Sequence, residues 1–357
     1  MSRNIRMLIV ITQILCFTAC AANNNSINVE PLFPNIKIIR YQEDKKINFA
    51  KYAFLQFRYK LEKDVSNGLY HVENKNNKNY REFIIKLINT AIENKAVVIV
   101  FPELSFAFEK KERDKIFNLL LKKSKEHDVI FIAGSFYDKN RRNVVPIIYP
   151  NGIDYSYKIK QSIFEVSPVW GKGMVSGNTI VVIKSKYGNI IPIVCVDLIS
   201  DDIQYLVRYL SNINEIDVLI NIAYNPASNE FIREMNAIVK RHNLFGAIVN
   251  VSDSLKWNAH KEKEFGNTSL ITSYDLKAGD TKDYISSYYK YADSNKNYAA
   301  YSNLTANLNP DIEGMILCDF NVRLVRAPKC TNAPDQGYPV IQNLKIIKVK
   351  RSEPRAK

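Results

Sequence analysis

The sequence predicts an α/β layered fold, in which helices pack on the faces of buried strands. Short apolar runs rich in β-branched residues alternate along the chain with segments whose apolar residues recur at helical spacing. The chain has 357 residues, of which 46% are hydrophobic, which is enough to bury the core of one large domain or two small ones. No internal repeat or low-complexity tract interrupts the alternation.

The predicted elements follow one another from residue 52 onward. The predicted strands cover residues 52–57, 96–103, 129–135, 144–149, 153–160, 179–184, 190–197, 217–222, 245–250 and 321–325. The predicted helices cover residues 83–92, 110–127, 200–209 and 230–243. Many of the strands are apolar throughout rather than alternating, which is typical of strands buried on both faces.

The N-terminal residues have the features of a secretory signal. Basic residues precede an apolar run over residues 7–19 that is too short to span a bilayer as a mature helix. The run ends in Phe-Thr-Ala-Cys, which resembles the bacterial lipoprotein signal, in which a residue such as Cys20 becomes the lipidated N-terminus. We therefore predict a signal peptide over residues 1–20, a tether over residues 21–48, and an exported protein, periplasmic or on the outer surface. Attachment to a membrane through a lipid on Cys20 and ordinary cleavage near Ala19 both remain open.

The formal net charge of +14 does not by itself indicate a nucleic-acid-binding protein. The lysines are spread over the whole chain among Asn, Asp and Glu, rather than gathered into one helix or loop. We therefore predict a solvated basic surface and no nucleic-acid partner. The C-terminal residues 328–357 are predicted to be a basic tail, disordered from residue 346 onward.

The five cysteines fall into distinct settings. Cys16 and Cys20 belong to the predicted signal, and Cys318 and Cys330 are candidates for a disulfide in an oxidising compartment. This leaves Cys195 unpaired, at the end of an apolar run where a buried strand passes into a loop. A lone cysteine in such a strand is most often a small buried hydrophobe, so a catalytic role needs partners.

Two further strand ends supply such partners in the sequence. Glu103 ends one apolar strand, and Lys158 lies in a second. A thiol with an ordinary pKa of about 8.5 needs a base to accept its proton, and a fixed cation stabilises the oxyanion formed in acyl transfer. Glu103 is the candidate base and Lys158 the candidate cation.

These segments resemble the carbon–nitrogen hydrolase, or nitrilase, superfamily. The apolar strand followed by Pro102-Glu103 matches its glutamate motif, and the apolar strand followed by Cys195-Val196-Asp197 matches its cysteine motif. Between them lies a lysine after a hairpin whose turn has the pattern Pro-x-Gly, here at residues 150–152. The resemblance extends over about residues 50–327. Three motifs in the family's order indicate the family much more strongly than any one of them.

The family resemblance favours Lys158 over Lys160, although both are predicted to lie on the same face of one strand. In the family a second glutamate commonly follows the catalytic lysine by seven or eight positions, and Glu165 stands seven positions after Lys158. Glu165 is therefore carried over as an auxiliary catalytic carboxylate, and Lys160 remains the alternative.

The resemblance implies a four-layer α-β-β-α sandwich over residues 49–327 and a Glu-Lys-Cys triad that forms a thioester. The implied activity is hydrolysis of a non-peptide C–N bond in a small molecule, with a linear amide as the preferred substrate and no cofactor or metal. Family members are often dimers, so a homodimer is also expected. Open alternatives are an N-acyltransferase or nitrile hydrolase using the same triad, a Cys–His protease using His242 or His260, and a catalytically silent lipoprotein that only binds ligands.

Overall fold

The computed structural model describes residues 34–45, 47–64, 66–73, 77–162, 165, 173–213, 215–225, 228–242, 244–252, 268–272, 304–321 and 341–351. The chain divides into residues 1–32, which lie outside this description, and a compact unit of residues 33–357. The predicted signal peptide, with Cys16 and Cys20, also lies outside the described residues, as do Cys330 and His260.

Two large sheets form the framework. The first sheet has the strand order β1-β10-β11-β12-β13-β14-β15. Its strands are β1 (Asn35–Tyr41), β10 (Thr179–Ser185), β11 (Gly188–Val194), β12 (Val218–Ile222), β13 (Phe245–Val249), β14 (Ser269–Thr272) and β15 (Leu304–Asn307). Strands β11, β12 and β13 are parallel, so their carboxyl ends lie at one edge of the sheet.

The second sheet has the strand order β17-β16-β2-β5-β6-β8-β7, and β9 pairs with β8. Its strands are β2 (Phe49–Gln56), β5 (Val98–Val100), β6 (Ile130–Ile132), β7 (Phe136–Tyr137), β8 (Asn143–Tyr149), β9 (Gly152–Tyr157), β16 (Gly314–Asn321) and β17 (Ile341–Lys348). Strands β2, β5 and β6 are parallel. A small hairpin of β3 (Leu61–Lys63) and β4 (Tyr70–Val72) stands apart from both sheets.

The two sheets pack face to face. The Phe245 ring of the first sheet stacks on the Phe320 ring of the second, with the ring centroids 4.3 Å apart. The Tyr52 hydroxyl also donates a hydrogen bond across the interface, to the backbone oxygen of Tyr187 at 2.7 Å. One contiguous core of buried apolar residues joins the facing sides of both sheets. Each large apolar side chain buried there stabilises the fold by about 1.5–3 kcal/mol.

Helices cover the outer faces of the sheets. Helices α1 (Asn77–Glu93) and α2 (Lys110–His127) share a core with the outward side chains of the second sheet, such as Leu55 and Phe131. Helices α3 (Asp201–Asn212) and α4 (Ser228–His242) pack on the first sheet. These contacts give the layer order helix, sheet, sheet, helix, which the family resemblance implies.

The folded unit extends beyond the predicted range of residues 49–327 at both ends. Strand β1 lies in the predicted tether and pairs in parallel with β10, and β17 lies in the predicted tail and pairs with β16. The predicted disorder from residue 346 is therefore wrong for residues 346–351. Both strands lie at sheet edges and are largely exposed, so their many polar residues mask the strand pattern.

The predicted disulfide between Cys318 and Cys330 is not supported at Cys318. This residue lies in β16, is fully buried in the core between the sheets, and has a free thiol. Burial among apolar side chains is the usual setting of a structural cysteine.

Candidate active site

The site is built at the ends of strands from both sheets. Cys195 follows β11 and Tyr224 lies two residues after β12, at the shared carboxyl edge of the first sheet. Glu103 follows β5 of the second sheet, and Lys158 is the first residue after β9. Backbone atoms at strand ends are no longer paired across the sheet, so they and their side chains are available for chemistry.

A buried cluster joins Glu103, Lys158 and Glu165. The Lys158 ammonium donates hydrogen bonds to Glu103 Oε1 at 2.9 Å and to Glu165 Oε2 at 2.8 Å. No more than 3% of any of these three residues is exposed. Burial lowers the pKa of Lys158, but the two carboxylates outweigh it and hold that pKa well above its ordinary value. The lysine is therefore a permanent cation.

The Glu103 carboxylate is held by further donors. Asn143 Nδ2 donates to Oε1 at 3.0 Å, and the backbone N–H of Tyr224 donates to Oε2 at 3.0 Å. Burial raises the pKa of Glu103, and the attraction of Lys158 opposes this rise. A carboxylate with a raised pKa is a stronger base than an ordinary glutamate. The surroundings thus fix both the orientation and the basicity of this group.

The Cys195 thiol lies beside the same carboxylate. Glu103 lies near enough for its charge to act on this thiol, and Asn225 Nδ2 lies 3.9 Å from Sγ. Burial, followed by the charge of Glu103, raises the pKa of the Cys195 thiol. The thiol is therefore protonated at neutral pH, and its proton has an adjacent acceptor.

Cys195 also has an unusual backbone conformation. It opens a short 3₁₀ helix (Cys195–Ile199) directly after β11, with φ of +51°. Few residues other than glycine adopt this left-handed region, and such strain clusters at functional sites. This sharp turn ends β11 directly before Cys195.

Glu165 is oriented by four donors. Besides Lys158, the Tyr137 hydroxyl donates to Oε1 at 2.9 Å and Asn143 Nδ2 donates to Oε1 at 3.5 Å. The backbone N–H of Ser162 donates to Oε2 at 3.1 Å. Burial raises the pKa of Glu165, but Lys158 and the other donors lower it more, so the net pKa is below the ordinary value. Glu165 is therefore the ionised partner that keeps Lys158 in place.

The sequence predicted that Lys158 and Lys160 lie on the same face of one strand. In the structure neither lysine lies in a strand. Strand β9 ends at Tyr157, so both lysines belong to the following turn. The Lys158 side chain enters the buried cluster, whereas the Lys160 side chain is 41% exposed and pairs with Asp202. Of the two, only Lys158 contacts Glu103 within the described residues.

Asp197 links the segments that carry Lys158 and Cys195. Its fully buried carboxylate accepts hydrogen bonds from the backbone N–H of Ile159 at 3.1 Å and of Lys160 at 2.7 Å. Burial raises the pKa of Asp197 to about 7, against the opposing effect of these donors. The carboxylate thus ties the turn after β9 to the turn after β11.

Three further residues of the site were not predicted from the sequence: Tyr137, Asn143 and Tyr224. Asn143 opens β8 and contacts both glutamates, at 3.0 Å and 3.5 Å. Tyr224 contributes only its backbone N–H to Glu103, so its side-chain type carries no signal. Of these three residues, only Asn143 offered a signal, because it is an asparagine at the start of an apolar strand.

Histidine is not among the described partners of Cys195, whose contacts are with Glu103 and Asn225. His242 lies at the end of α4. In the described part of the chain, no group of three or more His, Cys, Asp or Glu side chains is arranged to hold a metal ion. None of the described helices is long and apolar enough to cross a membrane.

Comparison with solved structures identifies the fold. Nit3 of Saccharomyces cerevisiae, a member of branch 10 of the nitrilase superfamily, aligns with a TM-score of 0.53 and 12% identity over 80% of this chain and 96% of its own. A carbon–nitrogen hydrolase from Helicobacter pylori aligns with a TM-score of 0.52 and 10% identity over 78% of this chain and 91% of its own. An amidase from Nesterenkonia sp. aligns with a TM-score of 0.51 and 10% identity over 78% of this chain and 93% of its own.

The chain therefore has the fold of the carbon–nitrogen hydrolase superfamily, and the fold class predicted from its sequence motifs is confirmed. No family model and no curated protein sequence matches the chain. At 10–12% identity the solved structures establish the fold and leave the activity to be argued from the site.

Proposed function

We propose that the chain is a carbon–nitrogen hydrolase that cleaves a linear amide through a thioester on Cys195. The observation that supports this proposal most directly is the meeting of a thiol, a carboxylate and an ammonium in one buried site. Glu103 contacts both Cys195 and Lys158. A binding protein would have no need to bury two carboxylates and a lysine beside a thiol, because burying charges costs free energy.

In the first step Glu103 accepts the thiol proton while Sγ attacks the amide carbon. The permanent positive charge of Lys158, together with the backbone N–H of Val196, stabilises the oxyanion. Glu103 then protonates the leaving amine as the C–N bond breaks, which leaves the acyl group on Cys195 as a thioester. Glu165 is proposed to act through Lys158, by fixing its position.

In the second step Glu103 removes a proton from water, which attacks the thioester. The products are a carboxylic acid and the free thiol of Cys195. An amine acceptor in place of water would make the protein an N-acyltransferase, and a nitrile substrate would enter through a thioimidate. These alternatives use the same three residues and differ only in the substrate or the acceptor.

Intact-mass spectrometry of the full chain tests the proposal. The protein is incubated briefly with a panel of linear amides and nitriles, and the modified peptide is then located. We expect an acyl-sized mass increase on Cys195 that is absent in Cys195→Ala and forms slowly in Glu103→Gln. The mass of the adduct identifies the acyl group.

Cys318→Ala is the matched control, because Cys318 is also a buried free thiol, but it lies in the core between the sheets and no described hydrogen bond links it to Glu103, Lys158 or Glu165. This variant should keep the adduct on Cys195. If a small thiol-reactive probe labels Cys195 but no substrate acylates it, the binding-protein alternative is favoured instead.

Export and lipid attachment are also proposed, on the basis of the N-terminal sequence. Mass spectrometry of the mature N-terminus in a bacterial host distinguishes a diacylglyceryl group on Cys20 from a free amine generated by ordinary cleavage. A full-length chain in the cytoplasm would contradict the proposal. Light scattering of the purified protein tests the proposed homodimer.

A further inference from the structure

A cleft of about 260 Å³ adjoins the wall of the candidate active site. Tyr137 lines this cleft and also donates the hydrogen bond to Glu165. The other walls come from the β3–β4 hairpin, with Tyr70 and His71, and from the segment that leads into α2, with Phe108. Apart from Tyr137, none of these residues contacts the buried cluster through a described hydrogen bond, so the proposed reaction leaves the cleft without a role.

Arg113 stands near the start of α2, at the end of the helix that reaches this cleft. Around it, residues 109–114 carry three acidic and three basic side chains. Glu112 does not line the cleft, and it pairs with Arg81 at 2.6 Å and with Lys115 at 2.5 Å. Arg113 is therefore the cation that this helix end presents to the cleft.

Arg113 presents a partly desolvated guanidinium in the cleft. The group stacks on the Phe136 ring, 3.8 Å from the ring centroid, and donates to the backbone oxygen of Phe108 at 3.1 Å. Burial lowers the pKa of Arg113, and the nearby charge of Asp114 opposes this effect. Among the described residues no carboxylate forms an ion pair with Arg113. Removing a cation from water costs free energy, part of which a bound anion would recover.

The acids around the cleft are mostly engaged elsewhere. Asp64 accepts hydrogen bonds from Ser66 and Asn67 in its own turn. Asp64 keeps its negative charge in these hydrogen bonds, which lower its pKa. Glu62 pairs with His71 at 3.6 Å. Glu109 is exposed at the helix N-cap, where its side chain makes no capping hydrogen bond, so Asp64 and Glu109 are the two lining carboxylates that oppose an anion.

We propose that this cleft binds a carboxylate or phosphate group, with the Arg113 guanidinium as its ligand. The planar guanidinium donates two parallel hydrogen bonds to such an anion. The anion is either the acidic end of the amide substrate or a separate small ligand. The site itself does not depend on the proposed catalytic function, whereas its assignment to the substrate rests on that function.

Calorimetric titration of the full chain with inorganic phosphate, and separately with glutarate, tests the site. We expect at least one of these anions to bind, with a dissociation constant about tenfold or more higher in Arg113→Gln. Arg113→Lys keeps the charge without the planar group and should give an intermediate value. Glu109→Gln should tighten binding, because it removes one of the two lining carboxylates that oppose the anion.

Lys122→Gln is the matched control for this titration. It removes one positive charge from the same helix, at an exposed position that pairs only with Glu126 in the described part of the chain. Binding equal in Arg113→Gln and Lys122→Gln, or no binding of either anion to the unaltered protein, would overturn the proposal.

A second set of measurements identifies the source of the anion. Acylation of Cys195 is compared for an amide with a terminal carboxylate and for a neutral amide of the same length. If Arg113→Gln raises KM only for the acidic amide and the bound anion competes with it, the cleft holds the acidic end of the substrate. If the anion binds without competing, the cleft holds a separate ligand. If no amide acylates Cys195, the proposed function fails while the titration still decides on the site.

Discussion

Lys158 and Lys160 are two positions apart in the chain and have opposite environments. The Lys158 side chain is 2% exposed and lies between two buried carboxylates, at 2.9 Å and 2.8 Å. The Lys160 side chain is 41% exposed and pairs with one exposed acid, Asp202, at 2.5 Å. The shorter distance belongs to the weaker interaction, because water screens the exposed pair and competes for its hydrogen bonds. Burial, and not ion-pair distance, separates the functional lysine from the ordinary one.

The largest expected difference between the two lysines is in catalysis. Lys158→Gln should lower kcat/KM by about 100- to 1,000-fold, because it removes the charge proposed to stabilise the oxyanion. Lys160→Gln should leave kcat/KM within about twofold. Steady-state kinetics on an amide identified by the Cys195 adduct measures both. An equal loss of kcat/KM in the two variants would show that Lys158 is no more important for catalysis than Lys160.

The difference in stability should also be large. Lys158→Met leaves two buried carboxylates without a counter-ion and should lower the free energy of unfolding by about 3–5 kcal/mol. Lys160→Met removes a surface pair and should lower it by less than about 1 kcal/mol. Urea denaturation followed by circular dichroism measures both values. A small loss in Lys158→Met would mean that the carboxylates protonate at little cost.

Asp197 and Asp202 extend the comparison to the acids beside these lysines. Asp197→Asn places an amide NH₂ against backbone donors, so it should lower the free energy of unfolding by about 1–3 kcal/mol. It should also lower kcat, because the turns that carry Lys158 and Cys195 are no longer tied together. Asp202→Asn, at the exposed pair, is the control and should change neither quantity measurably. The free energy of unfolding and kcat are measured on the same preparations of both variants. Equal values for Asp197→Asn and Asp202→Asn would contradict this role of Asp197.

The smallest expected effect is on the pH dependence of activity, and it is the effect most specific to Glu103. The proposed base must be ionised, so activity is present above the pKa of Glu103 and is lost as the pH falls through it. Since burial raises this pKa, the acidic limb of log kcat/KM should lie above the ordinary glutamate value of about 4.3. Lys160→Gln should keep the same limb. An acidic limb at or below the ordinary value would argue against Glu103 as the base.

The sequence was sufficient to predict the fold class and the four residues that lie together in the candidate site, which are Glu103, Lys158, Glu165 and Cys195. Glu103 and Cys195 end apolar strands, where a charged or reactive group is unexpected, and their order along the chain matches a family pattern. The choice of Lys158 came from its spacing to Glu165, and the structure brings these two side chains together.

The remaining parts of the site leave little trace in a single sequence. Tyr224 acts through its backbone, and Asn143 reaches Glu103 because β8 and β5, which precedes Glu103, both pair with β6 in the same sheet. The edge strands β1 and β17 were missed because exposed strands need not be apolar. These features depend on contacts between distant segments, which local patterns do not encode.

The base and the thiol of the site come from different sheets. Glu103 follows a strand of one sheet and Cys195 follows a strand of the other, and the stacked rings of Phe245 and Phe320 are part of the packing that holds the sheets in register. A slight slip between the sheets would part the thiol from its base while every strand kept its own hydrogen bonds. Heat should therefore abolish turnover at a lower temperature than it melts the strands, which makes activity a sensitive gauge of how firmly the two halves of the molecule are joined.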